Sequence, residues 1–229
     1  SYNTAVGSNA LESCASSNNT AVGNLAIGGA SCSGDRNTAV GSTALYANTS
    51  GQSNIAVGYQ ALYNNNTGTD NTAVGSDSST SNGALEANTS GSRNVAMGNS
   101  AFANNTTGSY NTGVGYGAGG SNVSGTSSTH IGYSAGNTAT GSANTCLGAG
   151  SGANLTSGSF GVYVGYNTTA SSGSVAYEMV IATTNTTATG KGASTGFISA
   201  GGAGNIYNGA NTTTWATTSD ERIKKNIVE

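Results

Sequence analysis

A five-residue phrase, Asn-Thr-Ala-Val-Gly or a near copy, recurs along this chain and closes on Gly7, Gly23, Gly41, Gly58, Gly75, Gly98, Gly115, Gly132, Gly148 and Gly165. Successive glycines are 16, 18, 17, 17, 23, 17, 17, 16 and 17 residues apart. Helical-hairpin repeats need roughly twice that length, whereas one turn of a parallel β-solenoid fits it. The spacing predicts an all-β rod of about ten stacked 16–18-residue turns. Rungs about 4.8 Å apart would make it on the order of 50 Å long.

The phrase also predicts faces. The position before the glycine reads Val6, Val22, Val40, Val57, Val74, Met97, Val114, Ile131, Leu147 and Val164, with no polar member. Two residues earlier stand Thr4, Thr20, Thr38, Ile55, Thr72, Val95, Thr112, Thr129, Thr145 and Val162. A two-residue period puts both columns on one side of a strand, and their apolar, β-branched character predicts a core column. The position between them is small, as in Ala5, Ala39 and Ala73, and is expected to face the other way and allow close approach by another surface. The glycine is expected to adopt a backbone conformation that a Cβ would penalise. The asparagines that open most copies, such as Asn19, Asn37 and Asn54, are expected to bond along the rod axis. A second apolar pair after the glycine, as in Ala44-Leu45 and Ala61-Leu62, predicts a second short strand per turn. Proline is absent, which suits continuous backbone ladders.

Composition restricts what such a rod can be. Its hydrophobic fraction is 35%, against roughly 45–50% in an ordinary globular domain, so a single chain has little to bury and association with copies of itself is expected. Charged residues make up 7% and the net charge is −3, which matches neither the charge signature of disorder nor a nucleic-acid-binding surface. No apolar run reaches membrane-spanning length, no signal peptide is visible, and the chain opens in mid-pattern as a fragment would. Cys14 and Cys32 each lie nine residues before the next repeat glycine, which predicts adjacent rungs and Cα atoms near the rung spacing. Cys146 is expected in a core or interface place beside Leu147. No cysteine pair has metal-ligand spacing, and neither a metal nor a cofactor is predicted.

Binding candidates come from departures in the pattern. The 23-residue step holds about six extra residues around Asp77, Ser79 and Asn82. Such insertions bulge from solenoids and often carry binding, although a drifted repeat without a role explains them equally well. Tyr59, Tyr116, Tyr133 and Tyr166 each follow a repeat glycine; a column of this kind suits either stacking on sugars or packing across rungs. The single histidine, His130, occupies the small mid-strand position and reads as a packing or interface residue rather than a base. The nine acidic residues are scattered, without the carboxylate pair that glycoside hydrolysis needs. Asn-x-Ser/Thr phrases at Asn48, Asn88 and Asn105 follow from composition.

The Asn-Thr-Ala-Val-Gly-x-x-Ala-Leu phrase resembles the left-handed parallel β-roll of trimeric autotransporter adhesin heads, and more closely the Asn/Gly/Thr-rich repeats of phage tail fibres, over about 165 residues. The terminal Ser219-Asp220-Glu221-Arg222-Ile223-Lys224-Lys225-Asn226-Ile227 is similar to the opening of the endosialidase-type intramolecular chaperone domain of phage fibres and spikes. These resemblances imply a homotrimeric fibre divided into a β-roll over residues 1–166, a Gly-rich intertwined β segment over 167–215 and the start of a chaperone module over 216–229. They further imply self-cleavage with Ser219 as nucleophile and Lys224 as its base, a lysine able to act so once desolvated. The implied role is host attachment from a virion tail, through a cell-surface receptor that is a glycan or an outer-surface protein, with no nucleic-acid partner and no membrane insertion. A bacterial surface adhesin and a purely structural shaft are the alternatives.

Overall fold

The computed structural model describes residues 2–29, 31–76, 82–183, 187–200, 203–208 and 216–217. Each repeat phrase forms one three-residue strand: β1 (Thr4–Val6), β2 (Thr20–Val22), β3 (Thr38–Val40), β4 (Ile55–Val57), β5 (Thr72–Val74), β6 (Val95–Met97), β7 (Thr112–Val114), β8 (Thr129–Ile131), β9 (Thr145–Leu147) and β10 (Val162–Val164). They stack in chain order as a parallel sheet, with Thr opposite Thr, Ala opposite Ala and Val opposite Val wherever the phrase is intact. The result is an all-β parallel solenoid of about eleven turns, and the described residues include no helix.

The sheet runs on past the last copy of the phrase. After β11 (Thr168–Thr169), strand β12 (Met179–Ala182) pairs with β10, and after β13 (Ala188–Thr189), strand β14 (Gly196–Ala200) pairs with β12, all in parallel. Strands β11 and β13 form a small parallel pair of their own. Direction reverses at β15 (Ala203–Asn208), which folds back antiparallel on β14 and is followed by β16 (Ala216–Thr217).

The faces are the reverse of the expected ones. Ala21, Ala39, Ala56, Ala73 and Ala96 are completely buried, and no member of the valine or threonine columns is. Val6, Val40, Met97, Val114, Ile131 and Leu147 are 36–56% exposed. The reason is the width of the rod: a turn of some 17 residues encloses room for about one large side chain, and that space belongs to the residue four after the glycine. Ile27, Leu45, Leu62 and Phe102, with Leu85 in the equivalent place after the inserted residues, fill it and are buried, leaving only an alanine's volume to the strand opposite.

Side-chain size is traded between these two inward columns. Phe102 is followed on the next rung by Gly113 and Gly119, where an added Cβ would lie 2.6 Å and 2.3 Å from its ring. Farther along, His130 enters from the strand side and glycine stands opposite: a Cβ on Gly136 would lie 2.2 Å from the imidazole. Cys146 with Gly152 repeats the exchange. Close packing at near-constant volume accounts for it, since a slim core tolerates neither a void nor an overlap.

The second leg of each turn is not a strand. It is a run of tight turns in which the residues two and four after the glycine take left-handed conformations, for example Gln60 (φ 55°) and Leu62 (φ 53°). Such geometry costs on the order of 1–2 kcal/mol for a non-glycine residue and persists because stacking enforces it. Leu45 N–H donates to Ala61 O at 3.0 Å, Leu62 to Ala84 O at 3.0 Å and Leu85 to Ala101 O at 3.0 Å, so this leg is also a ladder along the axis. The repeat glycines have φ between 121° and 150°. A Cβ on Gly41 would stand 2.5 Å from the carbonyl oxygen of Gly58, so the rungs can approach only where side chains are absent.

Two buried asparagine ladders run through the rod. Asn19 Oδ1 accepts from the Asn37 backbone N–H at 2.7 Å, Asn37 Oδ1 from Asn54 at 3.0 Å and Asn54 Oδ1 from Asn71 at 3.0 Å. The Nδ2 groups of Asn37, Asn54 and Asn71 each donate to a glycine carbonyl at 2.8 Å. The second ladder, Asn48, Asn65, Asn88 and Asn105, links Nδ2 to Oδ1 at 2.7–3.0 Å. Asn48, Asn88 and Asn105 are wholly buried, so a glycan could be attached to them only by breaking the ladder. At the amino-terminal end Cys14 and Cys32 meet on adjacent rungs with Cα atoms 4.3 Å apart, as the spacing predicted, and there they form a disulfide. Cys146 is free and buried.

Candidate functional site

The extra residues of the long step lie between Gly75 and Asn82. Nine residues separate Gly75 from Ala84 where three separate Gly58 from Ala61, yet Ala84 N–H still points to Gly75 O as Ala61 does to Gly58 O. The rod therefore resumes its register at once. Ser100 N–H donates to Asn82 O at 3.1 Å, Gly117 to Asn99 O at 2.9 Å and Ser134 to Tyr116 O at 2.8 Å. Asn82, Asn99, Tyr116 and Tyr133 thus form one surface column that starts at the edge of the insertion.

Beside this column lies a groove of about 220 Å³. It exists because the rung of Gly115 carries Gly117 and Gly120 where the rungs on either side carry Ser100 and Ala103, or Ser134 and Asn137. Asn82, Asn104, Tyr116 and Ser121 complete the wall, and none of the described lining residues is charged. Asn104 Nδ2 donates to Gly120 O at 2.7 Å, which holds that carboxamide against the floor. Tyr116 is 49% exposed and stacks on Tyr133 with centroids 5.5 Å apart and planes 12° from parallel. The groove can offer hydroxyl and amide hydrogen bonds beside a fixed aromatic ring, and its described residues include no acid or base.

Of the residues singled out from the sequence, Asn82, Tyr116 and Tyr133 come together here. Tyr59 lies in the same column three rungs toward the amino terminus, about 14 Å away at ordinary strand spacing. Asp77 and Ser79 lie outside the described residues, as do Ser219 and Lys224. Sequence reasoning missed Asn104, Gly117, Gly120 and Asn137. Their signal is a notch in the repeat, the Gly117-Ala118-Gly119-Gly120 run replacing the usual large residue and its neighbours.

Two buried titratable centres lie elsewhere. His130 is enclosed beside Phe102, with ring centroids 5.7 Å apart and both ring nitrogens unpartnered; desolvation pulls its pKa from 6.5 down to about 4. Glu178 takes the place of the ladder asparagine on its rung. Its carboxylate accepts from Tyr163 Oη at 3.2 Å, Ser171 N at 3.0 Å and Gly192 N at 2.7 Å. Burial, and then the adjacent Glu178, raise the Tyr163 pKa, while burial pushes the Cys146 thiol up to about 12. Both centres are closed inside the rod and satisfy packing. Among the described residues no cluster of histidine, cysteine or acidic side chains could hold a metal ion. Comparison with known protein families, characterised proteins and solved structures finds no match.

Proposed function

We propose that this chain is one protomer of a homotrimeric attachment fibre, built from three left-handed β-rolls side by side and carried on a virion tail. The observation that carries the reading is the outward valine and threonine face. Every rung presents a β-branched or apolar pair to the outside, from Val6 to Leu147, in a continuous stripe along the rod. Soluble monomers rarely leave an apolar stripe of that extent uncovered, and a second and third copy of the same regular face would cover it. The stack of Tyr116 on Tyr133 and the groove beside it lie after the glycine turn, off that face, and supply surface for a cell-surface receptor. Maturation by cleavage at Ser219, assisted by Lys224, belongs to the same proposal and rests on the terminal resemblance.

Light scattering tests the assembly. The expected mass is about three times 22.2 kDa, falling to that of a single chain when Met97 and Val114 are both changed to aspartate. A stable monomer from the unmodified chain overturns the trimer. Adsorption of fibre-bearing particles to host cells, blocked by soluble wild-type fibre, tests attachment; absence of competition favours a shaft.

A further inference from the structure

We infer that the groove between the Gly98, Gly115 and Gly132 rungs is a subsite for one neutral pyranose unit of a glycan. This rests on the attachment reading and specifies the chemistry of its receptor. Three observations carry it. First, the notch is built by absence: a Cβ on Gly117 would find nothing nearer than Ser134 Oγ at 3.6 Å, so the space above it is open, and its φ of 63° suits glycine. Second, its volume of about 220 Å³ falls below the roughly 300–1,000 Å³ typical of drug-sized ligands, as suits one ring held at a surface. Third, the polar wall includes Ser100, Asn104, Ser134 and Asn137, whose hydroxyls and carboxamides both donate and accept and so match vicinal sugar hydroxyls.

Charge decides the class. A sialic acid, uronate or phosphorylated sugar would bring an anion to a wall whose described residues include no cation, and would leave it unpaired on partial desolvation. A neutral sugar carries no such cost. Tyr116 adds an electron-rich face or edge of the kind that the polarised C–H groups of a pyranose contact favourably. Its stack on Tyr133 restrains the ring before binding, so little side-chain entropy remains to be lost. A repeated array of copies would multiply a weak single-site affinity.

The test uses the full 229-residue chain and saturation-transfer NMR, with oligosaccharides ending in glucose, galactose, mannose or N-acetylglucosamine as probes and sialylated and uronate-ended oligosaccharides as comparators. At least one neutral probe should bind, and Tyr116→Ala and Ser121→Tyr, the second filling the groove, should each weaken it at least tenfold. Tyr166→Ala, in the same column but off the groove, should leave binding unchanged. The inference is overturned if no neutral probe binds, if an anionic probe binds more tightly, or if Tyr166→Ala weakens binding equally. It is also overturned if Tyr116→Ala or Ser121→Tyr changes the mass measured by light scattering, since the groove would then be an interface between copies. A fibre that still competes for adsorption while binding no neutral sugar removes the subsite and leaves the attachment reading standing.

Discussion

At the scale of single residues, the interior is governed by volume. Gly113 stands where other strands have alanine, because Phe102 occupies that alanine's space. Gly113→Ala therefore restores the repeat consensus yet should destabilise the rod by about 1–3 kcal/mol through overpacking. Phe102→Leu alone opens a cavity. The double variant recreates the alanine–leucine pair of the neighbouring rungs and should be more stable than either single change, with a coupling of about 0.5–3 kcal/mol in a double-mutant cycle by denaturant titration. Strict additivity would mean that the two sites do not share space.

His130 supplies a second test at this scale. Its folded pKa, about 4, lies below the unfolded 6.5, so the unfolded chain takes up the proton first. The stability it secures is complete above pH 6.5 and is lost as pH falls toward 4, about 3 kcal/mol in all. Melting temperature should fall more steeply across that window for the wild type than for His130→Leu. Parallel curves would contradict burial of the neutral ring.

At the scale of the turn, the asparagine ladder ties each rung to the next. Asn71 Oδ1 accepts from both the backbone N–H and the Nδ2 of Asn94, and Asn71 Nδ2 reaches Gly91 O. Asn71→Ala leaves these buried groups unpaired, at about 1–3 kcal/mol each, and hydrogen exchange at Asn94 should accelerate strongly. Asn64→Ala, on the exposed side of the previous turn, should stay within about 0.5 kcal/mol of the wild type. This ladder was legible in the sequence because asparagine returns at one place in each phrase. So was the placing of Cys14 and Cys32 on adjacent rungs, from their equal offsets, though not the bond between them. The direction of the faces was not. Valine and threonine are the larger, more apolar columns, and burial by hydrophobicity alone turns them inward; what decides the matter is that Leu45, Leu62 and their equivalents already fill the rod. The Ala-Leu pair by itself predicts a second strand, since nothing in it announces a left-handed residue held there by stacking. The exchange of large and small residues between Ala73 and Leu85 on one hand and His130 and Gly136 on the other was the visible clue.

At the scale of the whole molecule, a precursor extended through a chaperone module should, on the proposed fibre reading, be cut at or beside Ser219. On that reading folding precedes cleavage, so Ser219→Ala and Lys224→Ala should each leave the precursor uncut on denaturing gels while light scattering still reports a trimer. Processing of the Ser219→Ala precursor at this junction would assign the cut to another protease. The bonds that join one rung to the next run along the rod axis, and this has a mechanical consequence. Bonds that lie along the pulling direction are loaded a rung at a time, so a tethered protomer stretched from its ends should open by unzipping rather than by shear. Each event would release one turn, about 50 Å of slack chain at roughly 3.4 Å per residue. The turn closed between Cys14 and Cys32 would release no slack until a reductant was added, so the oxidised rod should extend by one step fewer than the reduced one.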